Sequence, residues 1–190
     1  MSASSRRGGA HDEHPDAEGD DLESTLVSAG RRSSEPERLV ARLADLGWSI
    51  AAAESLTGGL LAASIVSVSG ASRVFRGGIV AYATDVKASL LGVEQHLLDA
   101  HGPVHPRVAS QMAEGVRRAL GRDGVPADVG VATTGIAGPL SPDGQPVGTV
   151  HIAVATPLGS RVESVLIDGD RAAIRTETAA RAVRLVLDAL

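Results

Sequence analysis

The 190-residue chain contains no cysteine, which excludes disulfide bridges, thiolate nucleophiles and Cys-ligated zinc together. Aromatic residues are almost as scarce. Trp48, Phe75 and Tyr82 are the only ones, so any core has to be built from Val, Leu, Ile and Ala. Apolar stretches are short and interrupted, and Met1–Arg7 does not lead into an apolar segment, so neither a membrane span nor a signal peptide is legible. The formal net charge is -5 and no long basic run supplies the footprint of a nucleic-acid binder. A cytoplasmic enzyme or binding protein is expected, with a small-molecule partner and neither nucleic acid nor membrane.

What is present divides at about Ser33. Residues 1–33 are rich in Ser, Gly, Asp, Glu and His without a sustained apolar period, and read as a disordered acidic tail. From Ser34 onward the pattern is that of one folded domain, 34–190. Ser34-Glu35-Pro36-Glu37 has the form of a capping box and opens a helix over Glu35–Leu46. A strand over Trp48–Ala53, a helix over about Thr57–Val68, a buried strand over Gly77–Tyr82 and a short helix over Asp85–Leu91 capped by Thr84 follow. A helix begins at Pro106 with Val108, Met112, Val116 and Leu120 on one stripe. Asp128–Thr133 is a third strand, Val147–Thr156 and Arg161–Ile167 form a pair, and the last helix opens near Arg171.

The stretch Ala53-Glu54-Ser55-Leu56-Thr57-Gly58-Gly59 reads as a strand tip turning directly into a helix. A helix start leaves about four N–H groups without intrahelical partners and suits an anion. Gly58 and Gly59 allow a ligand or another backbone to approach closely. Ser55 or Thr57 would serve equally as a plain N-cap, so the stretch alone leaves both readings open. Thr134-Gly135-Ile136-Ala137-Gly138-Pro139 is a second strand end with hydroxyls and glycines, and ligands of open α/β sheets gather beyond such ends, so it reads equally as a phosphate cradle or a structural Gly-Pro turn.

With no cysteine and no H-E-x-x-H, serine is the candidate nucleophile, and it needs a base. A lysine of depressed pKa can take that part. Lys87 falls in the first turn of its helix, where the macrodipole disfavours a cation by about 0.3–1 kcal/mol, although a surface lysine is the ordinary alternative. His96 and His101 fit less well, since neither has an acidic partner obvious from the sequence, and His105 precedes Pro106 at a helix start. Tyr82 could relay or orient the proton, and N–H groups after Ser55 could receive an oxyanion. Arg171, at a helix start, is placed to hold a phosphate or carboxylate, with pairing to Asp168 or Asp170 as the alternative. A non-catalytic nucleotide-binding or partner-binding module would keep the crevice without needing Ser55, Tyr82 and Lys87 together.

Those motifs, with the Phe75–Gly78 turn, Pro146-Val147-Gly148-Thr149-Val150 and Gly169-Asp170-Arg171, resemble in order the C-terminal domain family of CinA over roughly Glu35–Leu190. That family includes stand-alone nicotinamide-nucleotide amidases. The resemblance implies a three-layer α/β/α sandwich around a mixed, mostly parallel sheet, usually oligomeric. It also implies hydrolysis of the carboxamide of nicotinamide mononucleotide to nicotinate mononucleotide and ammonia, without metal or other cofactor. By the same similarity Ser55 is the nucleophile, Lys87 its base and Tyr82 a catalytic partner. Thr57, Gly58, Gly59, Thr134, Gly135 and Arg171 then belong to the substrate site. Thr84 stands where the family often has Asn, and Thr134 and His105 where it often has Ser; His105 changes both size and charge near the expected pocket.

Overall fold

The computed structural model describes residues 33–141 and 144–190. Apart from Ser33, the expected acidic tail lies outside them. Helix α1 spans Glu35–Leu46, and its capping box is formed, with Ser34 N–H donating to Glu37 Oε2 at 2.7 Å and Glu37 N–H to Ser34 Oγ at 3.4 Å. Strand β1 (Ile50–Glu54), helix α2 (Leu60–Val66), strand β2 (Phe75–Val80) and helices α3 (Thr84–Leu91), α4 (Gln95–His101) and α5 (Pro106–Ala119) follow. Strands β3 (Val129–Gly135), β4 (Thr149–Thr156) and β5 (Gly159–Leu166) and helix α6 (Arg171–Leu187) complete the unit.

The strands form one sheet in the order β2-β1-β3-β4-β5. β1 is parallel to both β2 and β3, whereas β4 is antiparallel to β3 and to β5, so four of the five strands point one way. β1 alternates across the sheet. Ile50 and Ala52 pack with Leu39 and Leu43 of α1, Leu61 and Ile65 of α2 and Ile174 and Val183 of α6. Ala51 and Ala53 face the other way, toward Leu91 of α3, Leu97 of α4 and Met112 and Val116 of α5. The result is a three-layer α/β/α sandwich.

Scarcity of aromatics is met by close approach rather than by bulk. A Cβ on Gly130 of β3 would collide with the Ala113 carbonyl of α5, and one on Gly115 of α5 with the Leu91 carbonyl. Small residues thus let α5 lie directly on the sheet and let α3 lie on α5, which keeps dispersion contact dense without large rings.

Three elements differ from the sequence expectation. α2 begins only at Leu60, because Thr57–Gly59 form the turn that precedes it. β2 is an edge strand with Gly78 and Val80 exposed; its apolar run has a strand neighbour on one side only, and Tyr82 stands beyond its end. Thr84 is the first helical residue of α3, and Ala83 takes the extended N-cap backbone without any side-chain cap. Among the described residues no helix is long and apolar enough to cross a membrane.

Candidate active site

The C-terminal ends of β1, β2 and β3 open on the same edge of the sheet, and a cavity of about 200 Å³ lies there. Ser55 follows β1, Tyr82 follows β2, and Thr134 and Gly135 end β3. These residues line the cavity together with Lys87 and Arg171. A larger cavity, about 400 Å³, sits at the opposite edge and contains none of these groups.

Lys87 is the only lysine of the chain, all the other Lys and Arg positions being arginine. Its side chain is 1% exposed. The amine donates to Ser55 Oγ at 3.0 Å, to the Ala81 carbonyl at 2.7 Å and to the Tyr82 carbonyl at 3.3 Å. Burial lowers its pKa from 10.5 to about 8. The cause of that shift is desolvation of the buried amine. The geometry accommodates two protonation states. An ammonium satisfies three oxygens. A neutral amine keeps its two N–H groups on the carbonyls and turns its lone pair to the serine hydroxyl.

Ser55 is held from below by its own N–H, which donates to the Thr133 carbonyl at 2.9 Å. The preceding residue, Glu54, is wholly buried, and its carboxylate accepts from the N–H groups of Gly59 (2.8 Å), Leu61 (3.2 Å) and Ala62 (2.8 Å). The start of α2, expected to be an open anion site, is thus occupied by the chain's own carboxylate. Leu56 and Thr57 lie in the turn, and their N–H groups have no partner among the described residues. Leu56 borders the cavity.

The other expected residues are placed as follows. Thr57 is buried, with its hydroxyl 2.7 Å from that of Thr133, and neither it nor Gly58 nor Gly59 lines the cavity. Thr134 lines it but donates its hydroxyl to the Pro103 carbonyl at 2.7 Å. The phenol of Tyr82, on a residue 60% exposed, accepts from Arg171 Nη2 at 3.0 Å, so Tyr82 meets Lys87 through its carbonyl rather than its ring. Arg171 also donates to the Gly138 carbonyl at 2.9 Å, while Asp170 caps α6 through the Ala173 N–H; Arg171 pairs with neither Asp168 nor Asp170. His105 caps α5, accepting from the Arg107 N–H, and stacks on His101 at 4.6 Å. Desolvation, then His101 and Arg107, hold His105 below its ordinary pKa. His105 stands outside the cavity lining, although Pro103 and Val104 are part of it. His96 does have an acidic neighbour, Glu94 at 3.6 Å.

Sequence reasoning missed Glu54 and Arg175, whose partners are backbone groups and leave no spacing pattern. It also missed a signal for Lys87. Arginine cannot give up its proton, so the single lysine of an otherwise all-arginine chain is the one Lys or Arg side chain that burial could turn into a neutral amine.

The model of the CinA C-terminal domain family matches residues 33–190. A CinA-like protein of Frankia casuarinae is 53% identical over 137 residues, which are 72% of this chain and 30% of that one. A CinA superfamily crystal structure from Escherichia coli superposes with a TM-score of 0.76 at 29% identity, covering 82% of this chain and 88% of that one. The competence/damage inducible protein CihA of Agrobacterium tumefaciens gives 0.73 at 33% identity, covering 84% and 98%. The chain spans about a third of the length of the curated relatives it matches, at 30%, 36% and 37% for three of them. The sheet with its serine and lysine at one edge therefore belongs to the CinA C-terminal domain family.

Proposed function

We propose that this protein is an amidohydrolase that converts nicotinamide mononucleotide to nicotinate mononucleotide and ammonia by a serine nucleophile and a lysine base, in pyridine-nucleotide salvage. The observation that carries the reading is the 3.0 Å contact between Ser55 Oγ and the amine of Lys87, which is 1% exposed. With a pKa of about 8, roughly one Lys87 in ten is neutral at pH 7.

Neutral Lys87 takes the proton of Ser55 as Oγ attacks the carboxamide carbon, and the developing oxyanion is received by the N–H of Leu56. The Lys87 ammonium then protonates the leaving nitrogen, so that ammonia departs and an acyl ester remains on Ser55. Water, deprotonated by the regenerated neutral amine, attacks that ester. The proton returns to Ser55, and the carboxylate product leaves. Arg171, exposed at the mouth and bonded to Tyr82 and Gly138, suits the phosphate of a nucleotide whose ring enters the cavity. Thr134 and Gly135 line the same cavity. The reading carries with it a cytoplasmic, oligomeric enzyme that uses no metal or other cofactor.

Incubation of purified protein with the nucleotide, following ammonia and the deamidated product, tests this. Turnover absent from the Ser55→Ala protein supports it. Saturable binding with no hydrolysis above that control would instead identify a nucleotide-binding module.

A further inference from the structure

Arg175 lies one helical turn beyond Arg171 on α6, half-buried, and reaches under the Ser55 turn instead of over the cavity. Its Nε donates to the Leu56 carbonyl at 2.9 Å and its Nη2 to the Thr57 carbonyl at 2.9 Å. A Cβ on Gly58 would stand 3.3 Å from Nη2, so that glycine, at φ +58, makes room for the guanidinium and not for a ligand.

Peptide units are planar, and fixing a carbonyl fixes the N–H opposite it. The bond to the Leu56 carbonyl sets the direction of the Thr57 N–H. The bond to the Thr57 carbonyl sets the Gly58 N–H, which donates to the Ser55 carbonyl at 3.1 Å and so sets the Leu56 N–H. One guanidinium therefore orients three consecutive peptide planes, two directly and the third through Gly58. Glu54 meanwhile takes the N–H groups of Gly59, Leu61 and Ala62. The two N–H groups of the turn left without partners among the described residues are those of Leu56 and Thr57.

We infer that Arg175 is a positioning residue that, through the Thr57 carbonyl and the Gly58-to-Ser55 bond, aims the Leu56 N–H as the oxyanion donor of this site. The inference rests on the hydrolase reading for its chemistry, but its geometry can be measured separately. A planar fork is required. Lysine keeps the charge yet cannot hold two carbonyls in one plane, and glutamine offers a planar donor that reaches one of them.

Kinetics and backbone NMR of Arg175→Lys and Arg175→Gln, beside the wild type, test it. Arg175→Lys is expected to lower kcat about 100-fold with KM within about threefold, and Arg175→Gln to fall between it and wild type. The Leu56, Thr57 and Gly58 amide signals are expected to move while those of Ile50–Ala53 stay in place. A kcat within about threefold of wild type, or a tenfold rise in KM at unchanged kcat, would overturn the inference. So would unmoved turn amides, whether or not the protein turns over the nucleotide. Moved amides in a protein whose wild type hydrolyses nothing would reject the hydrolase reading and leave Arg175 as the residue that orients the turn.

Discussion

The two edges of the sheet carry cavities of opposite character. At the N-terminal edge of β1 and β3, the larger cavity is bordered by Asp128, which accepts from both the N–H and the hydroxyl of Ser49 at 2.8 Å, and by Arg76, which donates to the Leu120 and Gly121 carbonyls at 3.2 and 3.3 Å. The side chains of Ser49, Asp128 and Arg76 tie the chain to itself. At the other edge the cavity is half that volume, yet it holds a buried amine against a hydroxyl and an N–H without a partner. Volume locates open space, whereas polar groups left available to a ligand locate chemistry.

That contrast can be broken by substitution at each edge. Ser55→Ala is expected to remove turnover almost entirely, by about 10⁴-fold or more, with the protein folded, as read by ammonia release. Lys87→Arg is expected to lower kcat about 10³-fold while leaving nucleotide affinity within several-fold, because arginine cannot serve as a base. The wild-type kcat/KM should rise with pH and level off above about 8, since the base acts deprotonated and its pKa is lowered to about 8 by burial. At the opposite edge, Asp128→Ala should cost about 1–3 kcal/mol in denaturant unfolding, by stranding the N–H and hydroxyl of Ser49, and leave kcat unchanged. Loss of turnover in that variant, with the fold intact, would erase the distinction between the two edges.

The smallest effect sharpens the role of Tyr82. Tyr82→Phe removes the acceptor of Arg171 but keeps the carbonyl that meets Lys87. A change of about two- to fivefold, mostly in KM, is expected if the phenol orients Arg171, against about 100-fold or more in kcat if it carries the proton.

Much of the fold was legible because its cues are periodic or local. The Ser34–Glu37 box, the α5 stripe and the hairpin at Pro157-Leu158 each depend on neighbours in sequence. The exposure of β2 was not, since a run such as Gly77–Val80 reads alike whether one strand or two flank it. Within the site, strand ends bearing Ser55 and Thr134 could be picked out, but the anion-ready helix start was misjudged. Only coordinates show that Glu54 folds back onto it. Arg175 was invisible for a related reason, because guanidinium-to-carbonyl contacts 118 and 119 residues apart impose no requirement on the identity of the residues contacted.

Because the chain has one lysine, protein labelled with ¹³C and ¹⁵N in lysine alone gives a single side-chain signal to titrate. A midpoint near 8 for Lys87, moving when Ser55 is acylated or replaced, is expected of a buried amine beside the nucleophile. A midpoint near 10.5, indifferent to the serine, would contradict the proposed chemistry at its root.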